Sequence, residues 1–72
     1  MIIIGLVTKM AQSDEPMFMG LNWVGHFDHN LDTVRSFSSL KEAKAHLATL
    51  EGNLPNKAKV YLVVGQNIME AA

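Results

Sequence analysis

Residues 2–10 are almost continuously apolar, with Ile2, Ile3, Ile4, Leu6 and Val7 mostly β-branched, and this predicts a strand buried on both faces. Residues 17–27 alternate instead. Met17, Met19, Leu21, Trp23 and Phe27 fall on one face, the expected core side, and Phe18, Gly20, Asn22, Val24 and His26 on the other, which predicts a second strand. Asp28, His29 and Asn30 read as a turn, and the half-polar residues 31–37 as a short third strand at a sheet edge.

Residues 37–52 carry the helical period. Leu40, Ala43, Leu47 and Leu50 share a face. Ser39 and Glu42 fit a capping box, in which the Ser39 hydroxyl accepts from the Glu42 N–H and the Glu42 carboxylate returns to the Ser39 N–H; Gly52 supplies the stop. Pro55 prevents continuation, and residues 58–65 form a last strand with Val60, Leu62 and Val64 opposed to Tyr61 and Val63. Residues 66–72 read as a tail that turns once or frays. The sum is one α+β domain over residues 1–72, ββ(β)αβ: an antiparallel or mixed sheet of three to four strands with one helix on one face. The first and last strands are the most apolar and are expected side by side in its interior.

Size changes how the apolar content is read. Seventy-two residues without cysteine can rely neither on disulfides nor on a thiolate zinc site, yet 49% of them are hydrophobic and the mean hydropathy is +0.12. One helix covers one sheet face, so Ile3, Val7, Phe18, Val24, Tyr61 and Val63 are expected to form an uncovered association face. A slipped phase in one strand, or a tail folded over the face, would remove that surplus. A formal charge of −1 argues against a dedicated nucleic-acid binder, and no apolar run is long enough to span a bilayer, so a cytoplasmic protein is expected.

Candidate chemistry adds little. His26, Asp28, His29 and Asp32 are potential ligands, but H-x-D-H is no established metal spacing and turns collect these residues for backbone reasons; no metal and no cofactor is expected. Ser36, Ser38 and Ser39 read as capping residues rather than nucleophiles, and no glycine-rich phosphate loop precedes the helix. The expected function is that of a non-catalytic protein-interaction module, a homodimer that also binds a larger protein. Its exposed acidic and hairpin-tip residues Asp14, Glu15, His26, Asp28, His29 and Asp32 are the expected contacts. The alternative is a nucleic-acid binder using Lys41, Lys44, Lys57 and Lys59, with Tyr61 or Trp23 stacking a base. In architecture, a short cysteine-free chain with a capped helix between strands resembles the small accessory proteins of bacteriophages, some of which inhibit host transcription or defence enzymes. The resemblance implies an inhibitor acting on a host protein.

Overall fold

A computed structural model describes residues 1–9, 15–50 and 58–71. Its elements in order are β1 (Ile2–Lys9), β2 (Pro16–Leu21), β3 (Phe27–Asp28), a 3-10 turn at Leu31–Thr33, α1 (Leu40–Leu50), β4 (Lys59–Val64) and β5 (Asn67–Glu70). All strand pairs are antiparallel, in the order β3-β2-β1-β4-β5, and α1 packs against β1 and β4. The fold is α+β. The sheet has five strands where the hydrophobic pattern predicts three or four. As the apolar content of their sequences leads one to expect, β1 and β4 are neighbours, with Ile2 opposite Leu62 and Ile4 opposite Val60.

The core lies between the sheet and α1. Ile4, Leu6, Leu21, Phe37, Ala43, Ala58 and Val60 are buried there, and Ile2, Met19, Phe27, Leu40, Leu47 and Leu50 close around them. Ala43 is the helix residue driven fully inside, since only a small side chain lets the helix sit close to the sheet.

The helix start follows its local sequence, with one change. The Glu42 N–H donates to the Ser39 hydroxyl at 3.1 Å, but the Glu42 carboxylate accepts from the Ser38 hydroxyl rather than returning to the Ser39 backbone. The expected stop at Gly52, the connector around Pro55, and the acidic loop with Asp14 lie outside the described residues.

Two expected strands are redrawn. The second does not run through to Phe27: it ends at Leu21, because the Asn22 side chain bends the chain into a turn before β3. Residues 31–37 do not form a strand. They make the 3-10 turn and then touch the sheet at two isolated bridges, Asn22 with Val34 and Ile2 with Phe37. The Arg35 N–H donates to the Leu21 carbonyl at 2.9 Å and the Phe37 N–H to the Ile2 carbonyl at 2.8 Å, filling the space beside β1 that β2 leaves as it turns away. The expected tail contains β5, joined to β4 by a two-residue turn, Gly65-Gln66. Gly65 has φ +59°, and no described non-glycine residue has positive φ, as a type II′ hairpin turn with glycine first requires.

The sheet face away from α1 is filled in part by its own side chains. Gly5 lies opposite Gly20, leaving a trough across β1 and β2. The Phe18 ring lies over Gly5, so that a Cβ there would fall 2.5 Å from its Cζ, and Val34 lies over Gly20 in the same way, 2.7 Å from such a Cβ. Phe18 meets Tyr61 edge to face, with ring centroids 4.9 Å apart. Ile3, on this face by alternation, is fully buried.

Candidate interaction surface

Exposed apolar side chains gather in two places. The first is the turn between β2 and β3. Asn22 organises it: its Oδ1 accepts from the Val24 N–H at 3.1 Å and from the His26 N–H at 2.9 Å, its backbone N–H donates to the His26 carbonyl at 2.8 Å, and its carbonyl accepts from the Gly25 N–H at 3.2 Å. Gly25 takes φ +87° with open space around it. With the backbone tied in this way, Trp23 and Val24 project outward, 66% and 76% exposed. The Arg35 guanidinium lies 5.3 Å from the Trp23 ring centroid and 4.8 Å from that of Phe37, within cation-π range of both. Phe37 in turn packs on His46 of α1 at 5.5 Å. Trp23 is therefore the outer end of a row of planar groups that reaches the core.

Below the tip, Asn22, Trp23, Val24, Asp28 and Thr33 line a shallow hollow. Side-chain turns hold the chain from Asp28 to Thr33, the two lining residues on that segment. The Asn30 N–H donates to Asp28 Oδ1 at 3.0 Å, the Asp32 N–H to Asn30 Oδ1 at 3.1 Å, and the Thr33 hydroxyl to the Asn30 carbonyl at 3.0 Å.

The second place is the β4–β5 hairpin. Leu62, Val64 and Met69 lie on the α1 side beyond the reach of the helix, with Val64 54% and Met69 49% exposed, and Ile68 is exposed on the opposite side.

The hairpin-tip residues expected from the sequence lie along the turn before β3, β3 itself and the 3-10 turn after it. His26 sits at the base of the Trp23 turn, exposed. Asp28 is half-buried with His29 Nδ1 3.5 Å from its Oδ1, and Asp32 is exposed on the 3-10 turn. Glu15 is exposed immediately before β2, and Asp14 lies outside the described residues. Among the described residues no group of three histidine, cysteine or acidic side chains stands close enough to hold a metal ion.

Of the expected association face, Ile3 is interior and Phe18, Tyr61 and Val63 are half-buried. Val7 is exposed, and Val24 is not on a strand at all but at the tip of the Asn22 turn. Trp23, expected on the core side, is exposed because the strand that would have carried it inward ends two residues earlier. Of the lysines, Lys59 is paired with Glu70 at 3.1 Å, Lys44 borders a hollow with Lys59 and Glu70, Lys41 is exposed, and Lys57 lies outside the described residues. No described helix is long and apolar enough to cross a membrane.

Sequence reasoning places Trp23 on the core side and passes over Arg35 and the β4–β5 hairpin. The signals that point to them are Asn22 three residues before Gly25, and Gly65-Gln66 between two apolar runs. Comparison with protein-family models, with curated proteins and with solved structures finds no match.

Proposed function

We propose that this chain is a non-catalytic protein-interaction module that occupies a surface of a larger protein, with Trp23 and Val24 as its anchor. The observation that carries the reading is the locked turn. A large aromatic and a branched aliphatic side chain stand in water on a backbone already held by Asn22, so binding them orders little that is not ordered beforehand. Tryptophan beside arginine is also the composition in which interface energy concentrates. Asp28 on the rim of the hollow gives the anchor an acidic border, and the complementary partner surface is an apolar pocket edged by basic groups.

Trp23 is the single tryptophan of the chain, so its fluorescence reports on the anchor directly. Affinity capture with the native chain from its own host is compared with capture by Trp23→Ala. The native chain retains a defined partner whose addition shifts the Trp23 emission to the blue. The variant keeps the native melting temperature and binds that partner about 30-fold or more weakly, the loss expected for a hot spot of ~2 kcal/mol. Equal retention by both chains, or an emission maximum unmoved by the retained protein, refutes the assignment.

A further inference from the structure

Among the described residues no strand pairs with the outer side of β5, and that edge, independently of the Trp23 turn, has the pattern of a surface that pairs with itself. The Ala71 N–H donates to the Val60 carbonyl at 2.9 Å, which makes that pair hydrogen-bonded. Antiparallel pairs alternate, so Met69 and Asn67 spend their backbone groups on Leu62 and Val64 of β4, whereas Ile68 and Glu70 turn their N–H and C=O groups away from β4 to the open edge. All four residues of β5 are exposed. The strand carries no proline, no lysine and no bulge, and its one charge, Glu70, is paired with Lys59 of β4.

We propose that β5 pairs antiparallel with β5 of a second copy about a twofold axis, joining the two sheets into one. The register follows from the outward groups. Ile68 opposite Glu70 of the second copy, and Glu70 opposite its Ile68, satisfies the outward N–H and C=O of both residues and places Met69 against Met69 on the axis. The carboxylates then face Ile68 rather than each other, and each keeps its own Lys59 partner at 3.1 Å. On the α1 side Leu62 and Met69 of one copy stand in one cross-strand row with Met69 and Leu62 of the other, so that the two Met69 side chains pack on each other at the axis.

A second copy fits better than an open chain of copies because the opposite edge is obstructed. β3 is two residues long, and the adjoining stretch of β2 begins with Pro16, which lacks an N–H. One usable edge per copy closes the assembly at two.

The chain contains no cysteine, so a single one introduced at position 69 is unambiguous. On the axis the two Met69 residues form a non-hydrogen-bonded pair, with Cα atoms about 4.5 Å apart, inside the range a disulfide spans. Under mild oxidation Met69→Cys is expected to run as a covalent dimer on non-reducing denaturing gels, at twice the 7.9 kDa of the chain, while Gln66→Cys at the exposed hairpin turn stays monomeric. In light scattering the native chain doubles in mass with rising concentration. Ile68→Pro, which removes an outward donor that β4 does not use, stays at 7.9 kDa. A native chain monomeric at high concentration, with Met69→Cys crosslinking no faster than Gln66→Cys, overturns the proposal. So does Met69→Cys crosslinking to a foreign protein in extract in preference to itself, since the edge would then serve another chain's strand.

Discussion

Replacing Gly5 by alanine tests the packing of the sheet face away from the helix. A methyl group at Gly5 would stand 2.5 and 2.9 Å from the Phe18 ring and 3.0 Å from the Met19 carbonyl oxygen. The ring cannot withdraw freely, because Tyr61 holds it edge to face. Overpacking of this kind costs about 1–3 kcal/mol. Alanine recovers roughly 0.5–1 kcal/mol over glycine by restricting the unfolded chain. The net loss is about 1–2 kcal/mol, a fall in Tm of roughly 5–10 °C for a domain of this size.

The decisive measurement is a double-mutant cycle with Phe18→Ala, read by urea unfolding at one fixed protein concentration. Phe18→Ala alone removes a half-buried ring and its aromatic partner and destabilises by about 1–2 kcal/mol. In that background the ring clash is gone and the 3.0 Å approach to the Met19 carbonyl oxygen offsets the gain over glycine, so Gly5→Ala changes stability by no more than about 0.5 kcal/mol. The coupling is about 1–2 kcal/mol, far outside the scatter of independent sites. If the two losses simply add, the ring does not lie over Gly5 as described, and the account of a self-covered second face is wrong.

Two further outcomes follow from the polar groups that shape the ends of elements. Ser39→Ala removes the acceptor of the Glu42 N–H and lowers stability by about 1 kcal/mol, whereas Ser39→Asp, which keeps an acceptor at the cap, loses little; thermal unfolding distinguishes them. Asn22→Ala frees the Val24 and His26 N–H groups and destabilises by about 1 kcal/mol, and hydrogen exchange of those two amides speeds up. Asn22→Asp retains the acceptor and the protection, and unchanged exchange in the alanine variant contradicts the locked turn.

The elements legible in the sequence are those whose cause is local. Ser39 and Glu42 lie within one helical turn, and the apolar runs of β1 and β4 need no partner to be recognised. What escaped has a different origin. The alternation from Met17 to Trp23 continues in phase across a real break, because periodicity measures spacing and not direction; the Asn22 carboxamide, competing for backbone N–H groups, stops the strand. β5 has no buried face to impress a pattern on its sequence, and its position is dictated by the glycine turn that precedes it. Val34 and Phe18 fill a trough that exists only once Gly5 and Gly20 are opposed, a fact of register that no single stretch contains. The exposed Trp23 lies at the first of these blind spots, and the outer edge of β5 at the second.

The central place of β1 also governs how the chain is made. Its partner on one side, β2, follows it directly, but its partner on the other, β4, comes after the helix. On the ribosome, β1, β2 and α1 are all synthesised while the flank of β1 that β4 will occupy is still bare and half of the core has no opposite wall. The sheet closes only when the most distant pairing in the molecule, the Val63 N–H to the Met1 carbonyl at 2.7 Å, can form. Until β4 emerges, the flank of β1 stays an unpaired strand edge, the kind of surface on which partly folded chains associate.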